Sequence, residues 1–524
     1  MNRNTARGLQ ILLGTVGLVP SVFVLLMHLF GVRYHLDMWG HFWGRSLYQT
    51  FTAEWFAEIP QHLNLLFSWA FILRYWIWPV WVSVIVPSAL LIACLLYAYL
   101  VIRSDDRKDH FRKPARIKQL LKLGTTPDNG IFAGRYGDKT LWVDDQTRAM
   151  VIGPPGSGKT AFLVNQIFKL GERGVSFVAA DIKPEIANLT RERLTALGYK
   201  VVEFSPSIAG LAAYNPLDEC ADDLEIKSLV EALLPTPDKD PVWVQAEQDW
   251  LKNALFHLSA SPEGASLPAA IELLTGKQPQ EVLEIFESSL HPRARDFAGQ
   301  NAGSKSQPVL SGIASVLRSL DWASYPVAQA ALGHSDFQLS ELGQSRPIAL
   351  FLAFDETKLS VYARLLSALY GHIFSVLIRS AGQRQTVALF FDEIGNIPAV
   401  FGLLERLNTV RSRMMPTFLY WQTPSQMSRY GLDASSIFMG ACPLKIVFRA
   451  DDSDTRAVFS ELAGKTTKIG RSVSRSELKA THTVREEDEQ VVTTDEFAQL
   501  KNFEVATFFK TAAAFGRATP YFEE

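Results

Sequence analysis

The stretch Ala149-Met-Val-Ile-Gly-Pro-Pro-Gly-Ser-Gly-Lys-Thr160 decides how the rest of the chain is read. Gly153, Gly158, Lys159 and Thr160 hold the spacing of a phosphate-binding loop. Met150 to Ile152 is a short apolar run like a buried strand, and Ala161 to Leu170 carries apolar residues at helical spacing. The loop is therefore expected between a strand and a helix, where its chemistry requires it. Glycines let successive backbone N–H groups point inward without a Cβ clash, and the helix start adds partial positive charge, so the loop can wrap a polyphosphate. Gly153, Pro154, Pro155, Gly156, Ser157, Gly158, Lys159 and Thr160 form the candidate loop. Lys159 would reach the β- and γ-phosphate oxygens, while the Thr160 hydroxyl would hold Mg²⁺. ATP and Mg²⁺ are the ligands this pattern calls for.

Such a loop needs an acidic partner, and Ala388-Leu-Phe-Phe-Asp-Glu393 supplies one at the end of an apolar run. Asp392 would orient a Mg²⁺-bound water, and Glu393 would polarise the attacking water as general base. The pair favours hydrolysis over mere binding. Thr417-Phe-Leu-Tyr-Trp-Gln422 ends another strand-like run in a neutral amide, which suits a group that senses the γ-phosphate. Arg411 and Arg413 follow an amphipathic segment, and an arginine from a neighbouring subunit could stabilise transition-state charge.

The rest of the chain sets these motifs in context. With 524 residues it is long enough for about three domains. A net charge of −2 gives no global basic signature, so contact with nucleic acid would have to be local. Cys94, Cys220 and Cys442 lie far apart and read as packing residues, and the histidines form no i, i+3 or i, i+4 ligand pair. Residues 9–30 and 76–102 are each long and apolar enough to cross a bilayer, with aromatics placed at the ends of the second. Eight basic residues from Arg103 to Lys122 follow, so the positive-inside rule places both termini in the cytoplasm and the loop 31–75 outside. Residues 1–123 thus read as a two-span hairpin anchor whose basic segment, 103–123, could rest on anionic membrane lipid.

From Gly124 the composition becomes globular. Strand-like runs at Ser176–Ala180, Lys200–Phe204, Ile348–Phe354, Val387–Phe391, Thr417–Trp421 and Leu444–Phe448 alternate with helical patterns, which predicts an α/β fold with a mostly parallel sheet. Between them, Asp223–Leu234, Val242–Leu258, Pro268–Leu274, Gln280–Ser288 and Pro308–Leu320 read as helices, several with proline near the first turn. The expected division is a nucleotide-binding domain over 124–217 and 343–524, split by an all-helical domain over 218–342. Lys465 to Gln490 begins basic, ends acidic and reads as a mobile surface excursion.

Together these residues resemble the coupling proteins of bacterial type IV secretion, membrane-anchored ATPases that deliver conjugative DNA and protein substrates to a transfer channel. The matching elements are the two-span start, G-P-P-G-S-G-K-T at Gly153, D-I-K-P-E at Asp181, Y-N-P-L-D at Tyr214, the helical insertion, F-F-D-E at Phe390, R-S-R at Arg411 and W-Q-T-P-S-Q at Trp421. The resemblance implies a RecA-like P-loop motor domain, a helical domain that meets substrate, a homohexameric ring, and an inner-membrane location. It also implies that Arg411 acts across the subunit interface and that Gln422 is the coupling glutamine. Its implied partners are DNA, a relaxase or effector proteins, and channel components. Pro184 departs from the pattern, where the family often has glycine.

Two other readings compete. A septal chromosome pump would add several spans, a long linker and a winged-helix module, none of which is visible. A non-hydrolysing substrate receptor is opposed by the intact Lys159, Asp392 and Glu393. Leu310-Ser-Gly312 begins like a transporter signature but continues Ile313-Ala314, so chance explains it. With no base-reading motif in view, DNA binding should be salt-sensitive and largely independent of sequence, through phosphates facing a pore.

Overall fold

The computed structural model describes residues 114–523 except 238, 263, 398, 401, 477 and 478, together with Ile92 and Ala93; at 411 and 466–489 only the backbone is described. The expected span 9–30, and 76–102 apart from Ile92 and Ala93, lie outside the described residues.

In chain order, α1 (Pro114–Leu121), β1 (Gly130–Tyr136), β2 (Lys139–Asp144) and β3 (Arg148–Ile152) lead into α2 (Lys159–Gly171). Then come β4 (Ser176–Asp181), α3 (Glu185–Ala196) and β5 (Lys200–Phe204). A helical run follows: α4 (Asp223–Leu233), α5 (Pro241–Ser259), α6 (Leu267–Leu274), α7 (Pro279–Glu287), α8 (Pro292–Asn301), α9 (Gln307–Ser319) and α10 (Pro326–Leu332). The chain returns through β6 (Ile348–Ala353), α11 (Leu359–Arg379), β7 (Val387–Phe391), α12 (Leu403–Thr409), β8 (Thr417–Trp421), α13 (Ala434–Ala441) and β9 (Leu444–Val447). It ends with α14 (Ser453–Leu462), β10 (Lys465–Ser476), β11 (Lys479–Gln490), α15 (Thr494–Ala498), β12 (Glu504–Phe509) and β13 (Ala512–Arg517).

Eleven strands form one sheet in the order β2-β1-β13-β12-β9-β3-β8-β7-β4-β6-β5. The half from β9 to β5 is parallel, as the apolar runs predict. The half from β2 to β12 is antiparallel and joins at β9, an extension the strand reading did not foresee. Alternation along each strand feeds two cores. In β7, Leu389 and Phe391 face the side covered by α11 and the helical run, while Ala388 and Phe390 face the side covered by α2 and α3. Burial of each such aromatic contributes about 1.5–3 kcal/mol relative to exposure.

The helices of the run start where the chain dictates. Helices α5 to α10 each carry proline in the first turn, where its missing N–H costs nothing. Asp222 caps α4 by accepting from the N–H groups of Leu224 and Glu225. Helices α8 and α10 escaped the sequence reading; both are short, and Arg293, Arg295 and Asp296 blur the apolar stripe of α8. Asp109–Glu524 forms one compact unit. Y-N-P-L-D lies at the root of the helical run. The Tyr214 ring stacks on Phe337 at 5.0 Å, and its hydroxyl donates to Glu219 Oε2 at 2.9 Å and shares a 2.9 Å hydrogen bond with His372 Nε2. Glu219 in turn accepts from the N–H groups of Leu339 and Ser340, tying the outgoing and returning chains to α11.

Two further segments complete the described fold. Lys465 to Gln490 is a regular antiparallel hairpin, paired from Lys465↔Gln490 to Ser476↔Lys479. Polar and β-branched residues along both arms pair readily with one another, which suits the stretch to strands. Helix α11 lies in a segment, Glu356–Arg379, long and apolar enough to cross a membrane, but 78% of its most apolar window is buried in the fold, which makes it a core helix.

Candidate functional site

The phosphate loop emerges from the central strand β3. Gly153 follows Ile152 and donates its N–H to Trp421 O of β8 at 3.2 Å. A Cβ there would lie 2.7 Å from Phe448 Cβ and 2.8 Å from Ser157 Oγ, so only glycine fits. Gly158 opens α2 at φ +99°, a conformation that side chains resist. Lys159 is buried, and its Nζ donates to Gly153 O (2.6 Å) and Pro154 O (3.1 Å), curling the loop around its own ammonium group. Burial lowers the Lys159 pKa, while Asp392 and Glu393 pull it back up. Ser157 Oγ is buried without a hydrogen-bond partner among the described residues. An orphaned hydroxyl beside a ring of backbone N–H groups fits a phosphate oxygen.

Asp392 and Glu393 end β7, across β8 from the loop. A cleft of about 310 Å³ is lined by Pro155, Gly156, Gly158, Lys159, Thr160 and Ala161 on one side, with Asp392 and Glu393 opposite. Asp392 is half-buried by exposure, yet its carboxyl is pushed up to about 7, first because surrounding protein desolvates it and then by the charge of Glu393. Lys159 and the Glu393 N–H, which donates to Asp392 Oδ1 at 3.1 Å, oppose that rise. Glu393 adopts a left-handed backbone at φ +50°, a strained setting for a residue with a Cβ. Asn396 Nδ2 donates to Glu393 Oε2 at 2.7 Å, and Lys183 Nζ lies 3.7 Å from Glu393 Oε1.

The third wall is D-I-K-P-E. Asp181 ends β4 fully buried and caps α3 by accepting from the N–H groups of Ile186 (3.2 Å) and Ala187 (2.8 Å). Burial raises its pKa against those hydrogen bonds. Lys183 and Glu185 line the cleft, and Glu393 and then Glu356 raise the Lys183 pKa. Pro184 stands immediately before α3. Asp181, Lys183 and Asn396 were not singled out as site residues from the sequence; a charged cluster ending an apolar strand was the available signal.

Gln422 and Arg411 stand further out. Gln422 follows Trp421, the partner of Ile152, so its backbone sits between the phosphate loop and the acidic pair. Its N–H donates to Gln426 Oε1 at 2.9 Å, and the side chain is not among those lining the cleft. Gln426 packs on Gly395, where a Cβ would lie 2.1 Å from its Oε1. Arg411 lies in the turn Val410–Ser412 before β8. Close by, Val387 N–H donates to Met414 O and Thr417 N–H to Thr147 O, which places this turn at the opposite edge of the parallel sheet from the phosphate loop.

The donor set suits a divalent cation held with phosphate. Among the described residues no group of three or more His, Cys, Asp or Glu could hold a metal alone. The Thr160 hydroxyl and Asp392 carboxylate offer oxygen ligands beside the loop, and Mg²⁺ commonly completes its shell with water and substrate phosphate.

Solved structures share this fold. The conjugative coupling protein TrwB, as the fragment TrwBdeltaN70 in an unbound form, superposes with a TM-score of 0.60 at 16% identity over 76% of this chain and 90% of that one. TrwB in complex with ADP and Mg²⁺ gives a TM-score of 0.60 at 15% identity, covering 77% of this chain and 91% of that one. In sequence, the VirD4 protein of Rhizobium radiobacter is 24% identical over 426 residues, 75% of this chain and 60% of the relative. The VirD4 protein of Agrobacterium fabrum (strain C58) is 24% identical over 366 residues, 66% of this chain and 53% of the relative. The chain thus matches little more than half the length of these two relatives. Residues 105–522 match the family described as Type IV secretory system Conjugative DNA transfer, which takes in the phosphate loop, the acidic pair and the helical run. With most of its length matched and the RecA-like P-loop fold of TrwB around the cleft, this chain belongs to the type IV secretion conjugative DNA-transfer family.

Proposed function

We propose that this protein is an inner-membrane ATPase that recruits DNA with its attached relaxase, or protein substrates, and drives them into a type IV secretion channel. The observation that carries the reading is the single cleft in which Lys159 and Thr160 of the phosphate loop face Asp392 and Glu393. ATP would lie with its phosphates against the backbone N–H groups of Gly156 to Thr160, and Lys159 would exchange the carbonyls of Gly153 and Pro154 for β- and γ-phosphate oxygens. Mg²⁺, held by the Thr160 hydroxyl and, partly through water, by Asp392, would neutralise charge developing between the β- and γ-phosphates. Glu393 would take the proton of the attacking water, with Asn396 and Lys183 holding its carboxylate in place.

Arg411 cannot readily serve its own cleft from the opposite sheet edge, which supports its action in a neighbouring subunit of a homohexamer. Gln422, between loop and acidic pair, would report loss of the γ-phosphate to the β8 side. The helices over 218–342 would form the substrate-facing domain, and the two-span start would anchor the ring to the membrane, its basic segment against anionic lipid.

The test measures ATP hydrolysis by the detergent-solubilised full-length chain with and without DNA, over a range of salt. Glu393→Gln should keep ATP binding while hydrolysis falls about 10²–10⁴-fold, and Lys159→Ala should lose binding itself. DNA stimulation should fade as salt rises. Equal hydrolysis by wild type and both variants would sink the motor reading and favour a receptor that does not hydrolyse.

A further inference from the structure

The phosphate loop has a second neighbour, contributed by the end of the chain. A Cβ on Gly158 would lie 2.4 Å from Phe503 Cε1 and 2.6 Å from its Cδ1, so the Phe503 ring rests against the last glycine of the loop. Phe503 holds φ +64°, an outlier for a bulky residue, and its carbonyl is fixed by the Ala518 N–H at 2.8 Å. The half-buried ring stacks edge-on with Phe522, centroids 5.9 Å apart, and Phe522 is 60% exposed. The Arg517 guanidinium sits 5.6 Å from the Phe503 centroid and is itself gripped by Glu523 through two Nη2 contacts of 2.6 and 2.7 Å. Asn165 of α2 donates to Thr519 O at 2.8 Å, which pins this tail to the helix that the loop begins. Arg517, Glu504 and Arg135 line a further cleft of about 450 Å³ along the same sheet edge.

We propose that Phe503, with Phe522 and Arg517, is the nucleobase subsite of the ATP site, and that it takes a purine by stacking on ring area. The inference rests on the nucleotide reading above and adds what holds the base. Direction follows from topology. The acidic pair that must meet the γ-phosphate is on β7, two strands from β3 on one side, whereas Phe503 precedes β12, two strands away on the other. Because β12 runs antiparallel to β9, its start lies at the same sheet edge as the phosphate loop. A nucleotide with its γ-phosphate at Glu393 therefore directs its base toward β12, about 10 Å from β3 at ordinary strand spacing. Backbone strain held at Phe503 by surrounding contacts is the pattern expected where a side chain is fixed for a ligand. A ring face and a guanidinium do not distinguish the edges of adenine and guanine, so ATP and GTP should bind alike.

The experiment measures equilibrium binding of ATP, GTP and inorganic tripolyphosphate, each with Mg²⁺, to the full-length chain in detergent. Phe503→Ala should bind ATP and GTP about 10-fold or more weakly, with tripolyphosphate unchanged. Phe503→Tyr should restore wild-type affinity, and the exposed Phe522→Ala should weaken both nucleotides several-fold without touching tripolyphosphate. Unchanged ATP affinity in both alanine variants overturns the subsite, as does an equal loss for tripolyphosphate, which would mean that the ring only shapes the loop. Should wild type bind neither nucleotide nor tripolyphosphate, or Lys159→Ala bind all three like wild type, the nucleotide reading fails and takes the subsite with it.

Discussion

Replacing Asp392 by asparagine should make the protein more stable and inactive at the same time. The Asp392 carboxyl titrates near 7 in the fold against 3.8 ordinarily, so the folded state holds a proton that the unfolded chain has released. The sign follows: wild-type stability falls as pH rises from about 4 to about 7, and is lowest above 7, where the ionised group sits in a desolvating site. A rise of about 3 pKa units at about 1.36 kcal/mol each gives roughly 4 kcal/mol, and because Asp392 is half-buried, solvent screening trims this to about 2. The assay is thermal unfolding of full-length Asp392→Asn beside wild type from pH 4.5 to 8.5. The advantage of the variant should grow from nearly nothing at the acid end to a few degrees above pH 7, then level off. Saturating ATP and Mg²⁺ should reverse the order, raising wild type by up to about 3 kcal/mol at a hundred times the Kd and the variant far less. A variant less stable than wild type at pH 8, or a difference that does not change with pH, would refute the account of Asp392 as an acid destabilised until a cation joins it.

Three further outcomes are expected. Arg411→Ala should lower hydrolysis by about 10³-fold, and mixing it with inactive Lys159→Ala should recover a fraction of the activity, because one subunit then supplies an intact loop and its neighbour an intact arginine; no recovery in subunit-exchanged rings would place Arg411 elsewhere. Gly312→Ala should destabilise the helical run by about 1–3 kcal/mol, since its Cβ would meet Trp250 Cδ1 at 2.4 Å and the Trp250 indole is held by a 2.8 Å bond to Val309 O; unchanged urea unfolding monitored by tryptophan fluorescence would contradict this packing. Burial lowers the His372 pKa from 6.5 to about 4, so its contribution is complete above pH 6.5 and is lost as pH falls toward 4, by up to about 3 kcal/mol. His372→Gln should flatten that part of the unfolding profile relative to wild type, and an identical profile would exclude His372 as its source.

Much of the site could be read in order along the chain. The phosphate loop, the acidic pair and all seven parallel strands announce themselves locally, because buried parallel strands are unbroken apolar runs and a phosphate loop requires glycines at set positions. Strand β13 hid for the opposite reason. Ala512-Ala-Ala has little β preference of its own, and its conformation comes from pairing with Phe508 and Phe509. Glu393 could be named from its place after Phe-Phe-Asp, but its ion pair with Lys183 could not, since the two come from segments that only the fold joins.

By itself the sequence determined that the chain carries a phosphate loop and an acidic strand end, since both are covalent spacings that any fold must respect. Only the tertiary structure decided what surrounds them. It put Arg411 at the sheet edge away from its own loop, and it laid Phe503 from the far end of the chain on Gly158. Strand order produces both results: with β3 central, β7 brings the acid from one side and β12 the aromatic ring from the other, and no local pattern records which strands become neighbours.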